Sequence, residues 1–306
     1  MTHPAPVPPA PFAPLEGEFS LPDAGCAPVY DALVEQTRRA LEQAGFSEAL
    51  IGLSGGIDSA LVAALAVAAL GAERVHGLLM PAAVSSAGSV TDAQELAWRL
   101  GIEATTIPIE PVFAAFQAVL APTFVGRAAD VTEENLQARV RGTLLMALSN
   151  KFGWFVLNTG NYSESLMGYA TLHGDMVGAF APLGQLMKVQ VYELARYVNE
   201  RALQAGAARP PIPDAILTKE PSAELAPGQR DRDTLGAYEE IDPILYGHFV
   251  RGASAEALIA HGAPAPLVHR VLDQAARAAF KLRYEPPAAQ LPPLADVASE
   301  QEGGAR

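Results

Sequence analysis

The sequence predicts an α/β fold, a doubly wound parallel sheet covered by helices on both faces. Three observations predict it. Short apolar runs of strand length alternate with longer segments of helical spacing. Each strand run is separated from the next by a helix, which implies parallel pairing. The 306 residues, 50% hydrophobic and 18% charged, are enough to bury a sizeable core.

The elements follow in order. Met1 to Pro14 carry six prolines and almost no charge. Proline fixes φ and lacks the amide donor, so this stretch reads as an extended arm. It has neither the basic start nor the apolar run of a signal peptide. Val29–Ala44 has helical spacing, with Leu33 and Leu41 on one face. Ala49–Leu53 is a buried strand that ends in a Gly-rich turn, and Ser59–Leu70 is an Ala/Leu/Val helix. Val75–Met80 is a second strand. Thr91–Leu100 is a helix with Asp92 and Glu95 near its positive end. Ala104–Ile107 is a third strand, followed by helices over Pro111–Leu120 and Glu133–Asn150. Trp154–Leu157 is the fourth strand. Leu186–Ala205, Thr234–Tyr246 and Pro266–Phe280 are helical. Glu285–Arg306, rich in Pro, Ala and acids, reads as a loose tail. The domain reading is therefore an arm over 1–27, one folded domain over 28–284 and a flexible tail over 285–306.

Composition excludes several function classes. Thirty-four acids against 21 bases leave no broad electrostatic footprint for nucleic acid. The single cysteine, Cys26, makes no CxxC pair, thiolate zinc cage or intrachain disulfide, which fits a reducing cytoplasm. The longest apolar run, Ala60–Leu70, is eleven residues, short of the ~20 that span a bilayer.

In a doubly wound sheet, ligands bind beyond the carboxyl ends of the strands. Ser54-Gly55-Gly56-Ile57-Asp58-Ser59 occupies that place after the first strand and opens the next helix. Adjacent glycines let the backbone approach a ligand closely. Amides at the helix start favour an anion, and Ser54 and Ser59 add hydroxyl donors. Asp58 repels a bare phosphate but suits one that carries Mg2+. The loop lacks the lysine of a Walker A sequence.

SGGxDS is the signature loop of the ATP pyrophosphatase superfamily, whose members share an adenine-nucleotide alpha-hydrolase-like fold. Four further strings narrow the resemblance: ENLQARVRG from Glu134, NTGNYSE from Asn158, GYATLHGDM from Gly168 and LTKEPSAEL from Leu217, the last followed by Pro227-Gly228-Gln229. Together they resemble the NAD+ synthetase family from about Tyr30 to Lys281, and look most like the synthetase domain of its glutamine-dependent type. The resemblance makes 28–284 a synthetase domain. It implies a C–N ligase of the cytoplasm. ATP adenylates the nicotinate carboxylate of deamido-NAD+, pyrophosphate leaves, and ammonia displaces AMP. It also implies Mg2+ and a homodimer with the dinucleotide at the subunit interface.

The resemblance carries over residue by residue. Asp58 and Glu164 match the metal-binding carboxylates. Ser54, Gly55, Gly56 and Ser59 match the pyrophosphate loop, Thr159 and Ser222 ATP contacts, and Lys188 an ATP-phosphate lysine. Arg139 matches a deamido-NAD+ contact able to grip a phosphate with both prongs. Lys281 matches a lysine that closes over the dinucleotide. Asp175 stands near the reacting nicotinate, where it holds or deprotonates ammonium. Asp58, Asp175 and Lys188 are thus the expected catalytic set. Tyr162 departs from the usual lysine of GNKSE. The loops Ala82–Ser89 and Lys219–Asp233 are expected to order on ligand binding and exclude water.

A glutamine-dependent enzyme adds a nitrilase-like amidase domain with a catalytic Cys, Glu and Lys. About 45 residues precede the first strand here and contain no lysine, so that domain is expected to be absent. Free ammonia and a separate glutaminase subunit both remain open as the nitrogen source. Among rival readings, a tRNA thiolase needs active-site cysteines and a basic surface, and a GMP synthetase ATPase lacks the GYATLHGDM and LTKEPSAEL strings. A non-catalytic ATP-binding module is distinguished by releasing no pyrophosphate.

Overall fold

The computed structural model describes residues 23–291. Helix α1 (Asp23–Ala44) leads into β1 (Ala49–Gly52), α2 (Ile57–Leu70), β2 (Val75–Leu79), α3 (Ala87–Leu100) and β3 (Glu103–Thr106). Then come α4 (Glu110–Leu120), α5 (Val131–Phe152) and β4 (Phe155–Val156). Beyond β4 the elements are helical: α6 (Tyr162–Met167), α7 (Lys188–Gln204), α8 (Asp214–Thr218), α9 (Asp231–Thr234), α10 (Tyr238–Leu245), α11 (Ala255–Ala260) and α12 (Ala265–Ala278). The strands form a parallel sheet in the order β3-β2-β1-β4. Leu50 pairs with His76 on one side and Val156 on the other.

Alternation along β1 builds two cores. Ala49 and Ile51 face a cluster made with α1, α2, α3 and α7, whereas Leu50 faces Leu78, Val156 and Leu145 of α5. The doubly wound sheet predicted from the sequence is therefore present, with helices on both faces. A third cluster gathers α6, α10, α11 and α12 around Met187 and Ile241. Chain progression reverses beside β1, because β2 lies on one side of it and β4 on the other. The loops after β1 and β4 thus open into one crevice.

Several boundaries differ from the sequence reading. Helix α1 starts at Asp23, inside the segment assigned to the arm. Cys26, Val29, Leu33 and Leu41 are buried at helical spacing, and that stripe extends the helix backward. The helix expected over Thr234–Tyr246 breaks at Gly236, whose φ of +95° leaves the helical region, and α10 then runs on into a π-helical turn at Tyr246–Val250. Helices α6, α8, α9 and α11 were not expected, being too short to show a period.

Residues 285–291 are not loose. Ala181 N–H donates to Pro287 O at 2.9 Å and Ala289 N–H to Ala181 O at 3.2 Å, so Ala288 forms an isolated parallel bridge with Ala181. Gln36 and Gln290 exchange two hydrogen bonds of 2.7 Å. The remaining arm and tail assignments, residues 1–22 and 292–306, lie outside the described residues. No helix among the described residues is long and apolar enough to cross a membrane.

Candidate active site

The carboxyl ends of β1 and β4 open onto a cavity of about 280 Å³. Ser54, Gly55, Gly56, Asp58 and Ser59 line it from the loop after β1. Thr159 and Glu164 enter from the segment after β4, Asp175 from the turn before Met176, Lys188 from the start of α7, and Ser222 from the stretch between α8 and α9.

The first loop is braced from within. Ser54 Oγ accepts Gly56 N–H at 3.2 Å and lies 3.1 Å from Ser59 Oγ, which donates to Gly56 O at 3.1 Å. Gly55 has φ +77°, and a Cβ there would stand 2.2 Å from the Ser89 carbonyl oxygen. Only glycine satisfies both conditions. Helix α2 has Gly56 as its N-cap, with no side-chain cap, so its first-turn amides are left for an anion.

Across the crevice, Asn161 caps α6 by accepting Glu164 N–H at 3.0 Å and donates its amide to Asp58 Oδ1 at 2.8 Å. One residue thus fixes both acids. Lys188 Nζ pairs with Asp58 and, at 2.9 Å, with Glu164. Burial lowers the Lys188 pKa, but the two carboxylates outweigh it and hold the ammonium well above its usual value. Burial pushes the Glu164 carboxyl up, against the pull of Lys188. Asp231 adds a third acid on the cavity wall, 3% exposed, accepting Tyr238 Oη–H at 3.0 Å.

Asp175 accepts Thr171 N–H at 2.5 Å, and Asn158 Nδ2 donates to its carbonyl at 2.8 Å. Burial raises its pKa, opposed by the Thr171 amide and by Lys281.

Ser222 Oγ donates to Gln229 O at 2.6 Å and accepts Glu224 N–H at 3.1 Å, tying a lid segment. Glu224, at φ +49°, accepts from Ser86 Oγ at 3.0 Å and Ser89 Oγ at 2.5 Å. Lys219 Nζ donates to Ser89 Oγ at 3.0 Å and pairs with Asp92. The two loops expected to order on ligand binding are hydrogen-bonded to each other through Ser86 and Ser89.

Two expected residues lie elsewhere. Arg139 is exposed, with Nε donating to Leu172 O at 3.1 Å, and does not line the cavity. Arg141, two residues on, lines the cavity instead. Residues at i and i+2 on a helix are about 200° apart, so only one of the pair faces inward. The inward face of α5 holds Ala138, Arg141, Gly142 and Leu145. Counting round from these small residues would have found Arg141 in the sequence. Lys281 does not line the cavity either; its ammonium donates to Gly168 O at 2.8 Å and Ala170 O at 2.6 Å.

A family model described as NAD synthase matches residues 29–285. The glutamine-dependent NAD(+) synthetase of Acinetobacter baylyi is 46% identical over 257 residues, covering 84% of this chain and 47% of that protein. The glutamine-dependent NAD+ synthetase structure from Acinetobacter baumannii in complex with ADP has a TM-score of 0.62 at 43% identity, covering 85% of this chain and 46% of that one. The NH3-dependent NAD synthetase structure from Campylobacter jejuni has a TM-score of 0.67 at 29% identity, covering 84% and 96%. The chain spans about half the length of the curated relatives it matches.

Proposed function

Because the chain belongs to the NAD synthase family, we propose that it amidates the nicotinate carboxylate of deamido-NAD+ with ammonia, driven by ATP. Adenylation of the carboxylate releases pyrophosphate, and attack of ammonia on the acyl carbon releases AMP. The observation that carries this reading is the convergence of the Ser54–Ser59 loop, Asp58, Glu164 and Lys188 at one end of the sheet.

The loop amides and the α2 N-terminus bind the nucleotide's phosphates, and Lys188 and Thr159 add contacts. The donor set fits a magnesium ion. Asp58 and Glu164 are drawn together by Lys188 and Asn161 beside the phosphate loop, and Mg2+ is held by one or two carboxylates together with substrate phosphates. Asp58 and Glu164 would hold it, and it would offset triphosphate charge. Asp175, its carboxyl raised by burial, binds the incoming ammonium and takes its proton. The lid carrying Ser222 keeps water from the acyl-adenylate.

The cavity is small for two nucleotides, so deamido-NAD+ extends over its rim toward Arg139 and Lys281. A second copy of the chain completes that region. In support, Val112, Phe116 and Val119 of α4, which packs on α5, are exposed apolar residues. The nitrogen comes as free ammonia or from a separate glutaminase.

The test is pyrophosphate release from ATP that depends on deamido-NAD+, run with ammonium or glutamine as nitrogen donor. Release and NAD+ formation with ammonium support the reading, and no release makes the chain a nucleotide binder. Turnover with glutamine alone would overturn the ammonia assignment. If Asp175→Asn kept full ammonium-dependent turnover, the proton-accepting role would be lost.

A further inference from the structure

Lys188 and Arg141 are both cations on the cavity wall, but their surroundings differ. Lys188 has two carboxylates within ion-pair distance. Arg141 Nε donates to Met80 O at 3.0 Å, and among the described residues no carboxylate lies close enough to pair with it and no further acceptor meets its terminal amino groups. Asp175 and Glu224 are near enough to favour its charge, while burial opposes it. A guanidinium stays protonated regardless. Its remaining N–H donors are thus held in a half-buried cavity without a protein partner, an arrangement that costs stability until an anion fills it.

Its position is fixed by the helix that carries it. Ala138, Arg141, Gly142 and Leu145 face the cavity at the i, i+3, i+4, i+7 spacing. Gly142 and Gly174 allow close approach. A Cβ on Gly142 would stand 2.8 Å from Gly174 O, and one on Gly174 would stand 2.9 Å from Ala138 Cβ. Helix α5 therefore abuts the turn that carries Asp175, and Arg141 faces the same end of the cavity as that acid. Its anchor, Met80, follows β2, on the opposite side of β1 from β4 and Glu164. The α2 amides and Lys188 already serve the other end.

We propose that Arg141 is the receptor for the oxyanion where the two substrates are joined, gripping it with the two prongs of the guanidinium. The oxyanion belongs either to the nucleotide's α-phosphate or to the substrate carboxylate. The assignment rests on the function proposed above and adds a site residue to it.

The test compares Arg141→Met and Arg141→Lys with the unaltered chain by titration calorimetry, thermal unfolding serving as a check on folding. The probes are AMP, deamido-NAD+ and inorganic pyrophosphate. Arg141→Met is expected to weaken AMP or deamido-NAD+ at least tenfold and to leave pyrophosphate within twofold. Weakened AMP binding identifies the α-phosphate, and weakened deamido-NAD+ binding identifies the carboxylate. Arg141→Lys keeps the charge but loses the fork, so its affinity falls between the two. If AMP and deamido-NAD+ both stay within twofold, or if pyrophosphate weakens equally, the proposal is overturned. An unaltered chain that binds AMP but releases no pyrophosphate with deamido-NAD+ present would sink the functional reading while the AMP comparison still judged Arg141.

Discussion

Lys188 Nζ lies 2.9 Å from Glu164 Oε1, joining the start of α7 to α6. The same ammonium pairs with Asp58, so a single cation serves two acids. Lys188→Met leaves both carboxylates uncompensated, an arrangement that costs about 3–5 kcal/mol. Glu164 is raised to about 7 even with the lysine present. Below that pH it takes up a proton and the penalty shrinks. Urea unfolding should therefore show a large loss at pH 8 and a smaller one at pH 5.5. Equal losses would mean that charge is not the cause.

Gly55 and Gly45 form a matched pair. Their φ values are +77° and +78°, but a Cβ on Gly45 meets nothing within 4 Å while one on Gly55 meets the Ser89 carbonyl. Gly45→Ala measures the left-handed backbone alone, about 1 kcal/mol. Gly55→Ala should cost about 1–3 kcal/mol more, since backbone has to shift, and should abolish ATP binding. Denaturant midpoints and nucleotide titration read both effects.

Asp242 is fully buried, accepting Ser163 Oγ–H at 2.6 Å and Val189 N–H at 2.9 Å. Burial pushes it up to about 7, while the unfolded chain ionises near 3.9. Between these values the folded state binds more protons, so stability through this group falls as pH rises from about 4 to 7. Asp242→Asn should flatten that part of the pH–stability curve. An unchanged slope would place the titration elsewhere.

Phe116→Glu puts a charge on the exposed apolar face of α4. If this face joins two copies, the mass by light scattering should halve. Apparent affinity for deamido-NAD+ should fall, and Arg139→Ala should weaken it similarly in the unsubstituted dimer. A Phe116→Glu monomer with full activity would show that each copy holds a complete site.

The sheet was legible because β1 and β2 are nearly continuous apolar runs, as strands buried on both faces must be. Asp58, Glu164 and Asp175 were legible because each lies inside a contiguous string whose chemistry depends on local order. Which of Arg139 and Arg141 lines the cavity was not, because that depends on the rotation of α5, which Gly142 and Gly174 fix across the fold. Asp231 and Glu224 come from a segment with no period, and the serines that Glu224 meets are more than 130 residues away in the chain. Residues 285–291 look like tail by composition, yet a Pro/Ala stretch is held by the backbone bridge between Ala288 and Ala181.

The bonds between Gln36 and Gln290 set a schedule for biosynthesis. The two residues are 254 apart. At the ~5–20 residues per second of translation, roughly 13–50 s pass between the addition of one and the other. During that interval all four strands and Ala181 are made in turn, while the segment that pairs with Ala181 and Gln36 comes after them. The backbone at Ala181, made 108 residues before Ala289, therefore waits roughly 5–22 s at that rate for its partner. A chaperone or a neighbouring nascent chain would find that backbone open until the last stretch arrives.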